Sequence, residues 1–176
     1  MDVLERIRQT AFLGKDFLIW LWFKSEKEDR HFDLGELGVV ELWFDAKIVL
    51  SSENDQGVES VTCIAPNHHL REARFALGQN KKISEATIRM RMGDDEWSFA
   101  LDATWFNFKS FKTPKVIQDK SEDPEGLFYE KMLLMERPVA VINALFRSYI
   151  LLRISATWQS HEQAALVQWI REGACR

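Results

Sequence analysis

The sequence predicts an α+β domain with an N-terminal helix, an antiparallel β-sheet of about six strands, and C-terminal helices packed on one face of that sheet. Three observations carry this. Apolar residues recur every three or four positions over 2–29, period-two alternation takes over between 39 and 111, and helical spacing returns after Pro124. A helix, then a run of strands, then helices is the order expected of α+β architecture. The chain has 176 residues and reads as one domain, 1–176, large enough to bury a core without a disulfide or a metal.

The first helix carries the stripe Leu4, Ile7, Ala11, Gly14, Leu18 and Leu21 or Trp22, and it ends in the polar tail S25-E-K-E-D-R30. Gly14 weakens a helix by about 1 kcal/mol relative to alanine, so it signals a close backbone approach or a kink at Leu13–Gly14. From Gly38 the pattern changes. V39-V-E-L-W-F44, the pair D45-A46 and K47-I-V-L-S51 read as a β-hairpin, S52-E-N-D-Q-G57 as a turn, and V58–A65 as a third strand completing a meander.

Residues 68–78 fit a short helix or another strand. A86–M92, the turn G93-D-D-E96 and W97–A103 form a clearer hairpin, with Ile88, Met90 and Met92 on one face and Arg89 and Arg91 on the other. W105-F-N-F-K-S-F111 supplies an edge strand. Asp123 as N-cap with Pro124 at the first helical position starts a helix through L127-F-Y-E-K-M-L-L-M-E-R137. Pro138 should kink or break that helix, leaving segments 139–153 and 160–172 to finish the chain.

Bulk properties narrow the function classes. With 46% hydrophobic and 28% charged residues the chain should be folded throughout. Net charge is −4, without the overall basic footprint of a nucleic-acid binder working alone. Only the middle third is positive: residues 58–115 hold nine Lys+Arg against seven Asp+Glu. The run D16-F-L-I-W-L-W-F-K24 is too short for a membrane span, and Asn143, Arg147 and Arg153 interrupt the apolar run 139–153. No membrane association is expected. Two cysteines, Cys63 and Cys175, and an N-terminus without a signal-peptide pattern fit a cytoplasmic location.

Scarce residues limit the chemistry. Cys63 with His68 and His69 could offer two or three zinc ligands, fewer than the four a structural site takes, and the simpler reading is a buried cysteine beside two turn histidines. No nucleophile elbow, P-loop or dinucleotide fingerprint occurs, so no cofactor and no metal are expected. Asp94, Asp95 and Glu96 could hold a metal, although acids in a tight turn are ordinarily turn chemistry.

The positive middle offers the candidate binding residues. Arg71, Arg74, Lys81, Lys82, Arg89 and Arg91, then Lys109 and Lys112, interleave with Phe75, Trp105, Phe108 and Phe111. Basic side chains beside stacking aromatics are how single strands are held without sequence readout. The competing reading places the arginines on the solvent face of a half-buried hairpin and the aromatics in the core.

The block A11-F-L-G-K-D-F-L-I-W-L-W-F-K-S-E26 resembles one in bacterial proteins of the recombination-associated RdgC group, or in small proteins accompanying them. V61-T-C63, E85-A-T-I-R-M-R91, W97-S-F-A-L-D102 and E122-D-P-E-G126 are similar too, and together they cover most of the chain. The resemblance implies a DNA-binding role in replication and recombination, as a ring-like dimer around duplex DNA, with no placed catalytic site. This chain is much shorter than a full RdgC protein and is acidic, which suits a companion domain or partner.

Three expectations follow. The first is a non-enzymatic accessory of bacterial DNA metabolism, binding nucleic acid through the basic hairpin or binding a DNA-binding partner. The second is a protein-interaction or homo-oligomerisation module, motivated by 12% aromatic residues with seven tryptophans. The third is a metal-dependent nuclease built on Asp94, Asp95 and Glu96.

Overall fold

The structure, a computed structural model, describes residues 3–54, 57–65, 71–115 and 124–174. In chain order they form α1 (Val3–Lys27), β1 (His31–Asp33), β2 (Val39–Asn54), β3 (Gly57–Ala65), α2 (Arg71–Gly78), β4 (Lys82–Met92), β5 (Asp95–Asp102), β6 (Phe108–Lys112), α3 (Pro124–Arg153) and α4 (Gln163–Ala174). A turn of π-helix, Trp158–Glu162, leads into α4. Asp123, His68 and His69, which the sequence marks as an N-cap and possible ligands, lie outside the described residues.

The fold is α+β, with the terminal helices packed on one face of a six-stranded antiparallel sheet in the order β1-β2-β4-β5-β6. β3 pairs with β2 on the same edge as β1, so β2 carries β1 at one end and β3 at the other. This corrects two expectations. β2 is one continuous strand of 16 residues, not a hairpin turning at Asp45–Ala46, and the connection from β2 to β3 is the two-residue step between the paired Asn54 and Gly57. Asp45 looked like a turn residue, but its carboxylate accepts from Arg89 Nε across the sheet at 2.5 Å. Two extra residues of β2 between Phe44 and Ile48 form an irregularity against β4, which bends the strand without ending it. The meander is also broken, because β4 and not a half of β2 is the neighbour on the far edge.

Register stacks the core in rows: Leu42, Met90 and Trp97; Phe44, Ile88 and Phe99; Ile48, Ala86 and Leu101. All nine are buried. Against them lies the Phe17–Phe23 run of α1, buried at every position. Phe17 contacts the rings of Phe106, Phe146 and Tyr149, while Trp22 stacks on Phe44 and meets Trp169 edge-on. Gly14 is a close approach and α1 continues through it: a Cβ there would lie 1.8 Å from the Ala103 carbonyl oxygen.

Residues 71–78 are helical, which settles the open assignment, with Ala73, Ala76 and Leu77 buried. α3 runs unbroken for 30 residues through a buried Pro138, so of the expected kink or break the break does not occur. A proline at this position removes the N–H that would bond the Leu134 carbonyl one turn earlier. The indole of Trp97 replaces it, donating from Nε1 to Leu134 O at 2.7 Å. A fully buried tryptophan of the sheet thus completes the hydrogen bonding of the helix packed on it.

Candidate functional site

Alternation along β2, β4 and β5 sends every second side chain to the face of the sheet opposite the helices. That face carries Lys47, Arg89, Arg91 and Lys109 against Glu41, Asp45, Glu85, Glu96 and Asp102, four cations facing five carboxylates. Arg89 pairs with Asp45 and, at 3.2 Å, with Glu96. Arg91 reaches Glu41 at 3.3 Å and Glu96 at 3.5 Å. Lys109 reaches Glu85 at 2.8 Å and Asp102 at 3.0 Å. Trp43 stands among them, its ring 5.5 Å from the Arg91 guanidinium and 5.7 Å from that of Arg30, and is buried on a face that otherwise meets solvent.

The protonation states follow from this lattice. The hydrogen bond from Lys109 holds the Glu85 carboxyl below its usual range against partial burial, with Lys47 adding to it. Burial pushes Asp102 upward, but donation from the Trp105 backbone, Lys109 and the Thr104 backbone outweighs it and the group ends lowered. Asp102 also shapes the chain: its Oδ1 accepts the Thr104 and Trp105 N–H groups at 2.9 and 3.0 Å and sets the turn into β6. Glu85 and then Asp102 raise the Lys109 ammonium in return.

The eight candidate basic residues do not converge. Arg89, Arg91 and Lys109 share the open face, and Lys112 sits opposite Ser98 in the row that contains Arg89. Lys81 is tied to Glu59 at 2.6 Å on β3, and Lys82 to Asp16 of α1 at 2.7 Å. Arg71 is exposed at the start of α2, while Arg74 lies over the Trp169 ring and donates to the Trp169 carbonyl. The interleaved aromatics part company with the cations as well: Phe108 and Phe111 pack on Phe99 on the helix side of the sheet. Phe75 and Trp105 are exposed, on α2 and on the β5–β6 turn.

Of the acidic turn, Asp94 is exposed, Asp95 approaches Arg137 at 3.9 Å, and Glu96 is taken by the two arginines. Among the described residues no three His, Cys, Asp or Glu side chains come together as a metal site. Cys63 is buried, and burial raises its thiol pKa, which disfavours the reactive thiolate.

A different surface has a shape that could hold something. The first half of α3 exposes Phe128, Tyr129, Met132, Leu133, Met135 and Val139, with Phe128 and Leu133 the most open at 60% and 64%. Beside this ridge, between α3 and the edge strand β6, runs a groove of about 580 Å³ lined by Phe108, Phe111, Met132, Met135, Val139 and Ala140, with Glu136 and Asn143 at its margin. The signal was present in L127-F-Y-E-K-M-L-L-M135, which is apolar around too much of its circumference for one neighbour to cover. No single helix among the described residues is long and apolar enough to cross a membrane.

The chain matches no protein-family model, and no curated protein matches it in sequence, so the likeness to the RdgC group rests on the quoted blocks alone.

Proposed function

We propose that this chain is a protein-interaction module whose contact surface is the apolar ridge of α3 together with the groove beside β6. The observation that carries this reading is the run of large apolar side chains left open on one half of α3. Contiguous apolar patches beyond a few hundred Å² on a folded monomer mark interaction sites. Four of the ridge residues are aromatic or methionine, the types enriched where partners anchor. Nucleic-acid binding through the β4–β5 hairpin is the weaker reading, because a phosphate would have to displace two carboxylates from each of Arg89, Arg91 and Lys109. The role beside DNA that the resemblance implies is then that of a partner-binding protein.

A photo-crosslinking residue placed at Leu133 and activated in living cells tests the reading. A discrete adduct at Leu133, absent from a control at the exposed Thr62 of β3, is the expected result. No adduct at Leu133 would overturn it.

A further inference from the structure

We infer that the first half of α3, residues 125–137, is an arm that opens as a unit about Pro138, latched to the sheet by the hydrogen bond from Trp97 to Leu134. The arm stands on how α3 itself is held and not on the interaction reading. Burial changes abruptly at Pro138. Of the thirteen residues 125–137, eleven are exposed, and only Leu127 and Leu134 are partly buried. From there on the helix buries Pro138, Val141, Ile142, Leu145 and Tyr149, with Tyr149 packed against the rings of Phe17, Trp20 and Trp158. Buried apolar contacts set how firmly a segment is held, so one continuous helix has a tethered half and an anchored half.

The same boundary is a weak point of the helix's own ladder. Pro138 has no N–H, so the bond that would tie it to the carbonyl one turn earlier cannot form. That carbonyl, of Leu134, accepts instead from the Trp97 indole at 2.7 Å, which makes a contact with the sheet do the work of a rung of the helix. A second tie, Arg137 to Asp95 at 3.9 Å, joins two side chains about half exposed, and pairs of that kind contribute little. Once the indole lets go, residues 125–137 are a helix with almost no packing. An isolated helix shorter than about 12–15 residues is marginal in water, so the arm melts as it leaves the sheet while the anchored half keeps its core.

The opening has a consequence for the groove beside β6. Met132, Met135 and Glu136 of the arm form part of one wall, and Phe108 and Phe111 of β6 form the other. Departure of the arm dismantles the groove and uncovers Trp97. Whatever occupies the groove therefore holds the arm shut, and a shut arm favours the occupant in equal measure, as linkage requires.

Amide hydrogen exchange of the full chain, resolved by residue, is the test. After correction for intrinsic rates, the amides of 128–137 should exchange at least about a hundredfold faster than those of 142–152, at a nearly uniform level that steps at Pro138. Equal protection on the two sides of Pro138 overturns the arm, and so does a smooth gradient from the N-terminal end, the pattern of simple fraying. Two variants separate local from global opening. Ile48→Val, two buried rows away from Trp97, should speed 142–152 by roughly threefold to tenfold and leave 128–137 unchanged, because Ile48 stays packed when the arm opens. Trp97→Phe should speed both stretches by about tenfold, because the latch is lost in either opening. An Ile48→Val effect of equal size in the two stretches means that α3 opens only with the whole molecule, and overturns the inference. Amides of 128–137 that exchange no faster in Trp97→Phe than in the parent overturn the latch.

Discussion

Two helical runs in this chain have almost the same apolar character and opposite fates. F17-L-I-W-L-W-F23 in α1 is buried at all seven positions, whereas L127-F-Y-E-K-M-L-L-M135 in α3 leaves most of its large side chains open. Their surroundings make the difference. The α1 run lies between the sheet and the later helices, with Phe44, Phe106, Phe146, Tyr149 and Trp169 closing around it. The first half of α3 meets the sheet through Leu134, which accepts from Trp97, and through Arg137 beside Asp95, while Phe128, Tyr129, Met132, Leu133 and Met135 stay exposed. Hydrophobicity is a demand for cover, and only α1 has that demand met from within the chain. The open sheet face behaves like α1, because its charges are matched inside the molecule.

The largest effects should therefore fall on α1. Phe17→Ala, which empties a fully buried ring site, is expected to lower unfolding free energy by about 3–5 kcal/mol. Leu133→Ala should stay within about 0.5 kcal/mol of the parent when denaturant titration is run dilute enough to keep the chain monomeric. Equal losses at the two sites would erase the contrast between the helices. Gly14→Ala should cost about 3 kcal/mol, since its methyl would collide with the backbone oxygen of Ala103, and no rotamer can move a main-chain atom aside.

A middle-sized effect is expected where α3 does meet the sheet. Trp97→Phe keeps most of the ring but leaves the Leu134 carbonyl with neither an indole nor a helical N–H to accept from. The loss should be about 1–3 kcal/mol. In a Pro138→Ala background the restored N–H can serve that carbonyl, so the same Trp97→Phe change should cost less. A double-mutant cycle without coupling between the two positions would show that Trp97 acts by packing alone.

What the sequence disclosed follows the range of the interactions involved. The α1 helix and the β4–β5 hairpin were legible because their signals are local, an apolar run in one and alternation around a tight turn in the other. The continuity of β2 is not legible locally because Asp45 has turn chemistry, and its use, accepting from Arg89, depends on a pairing between strands some forty residues apart. The break that Pro138 allows, as the alternative to a kink, does not occur for the same reason: the donor that serves the Leu134 carbonyl is 37 residues away in sequence. Of the candidate site, alternation alone put Arg89 and Arg91 on an open face. Their carboxylate partners Glu41 and Asp45 become visible only once β2 is known to lie beside β4.

If the sheet face is matched internally, acid should loosen it in a defined window. Glu85 and Asp102 both have folded pKa values below their ordinary ones, so their contribution is fully present above the unfolded carboxylate value of about 4. It is lost as pH falls through the folded values. Lys109 has the opposite sign: its raised pKa makes its contribution complete below the ordinary lysine value of about 10.4, and that is lost only as pH rises beyond it. Lys109→Met should therefore flatten the acid limb of a stability–pH profile below about pH 4, since Glu85 loses its largest lowering influence. Asp102 should respond less, because the Trp105 and Thr104 N–H groups still hold it. An unchanged acid limb would mean that the lattice is geometric and not energetic.

The smallest effect separates the two surfaces most directly. With Arg89 and Arg91 each held by two carboxylates, the parent chain should show no measurable affinity for short single-stranded or duplex DNA at about 150 mM salt. Asp45→Asn with Glu96→Gln removes both acids from Arg89 and one from Arg91. That variant should gain weak binding whose logarithm falls against log salt with a slope of about −1 to −2, the signature of one or two phosphates neutralised. Parent binding with a slope steeper than about −3 would require a contiguous cationic track on the sheet. The open face would then resemble α3, a surface whose demand is met from outside, and the nucleic-acid reading would displace the ridge as the centre of this protein's work.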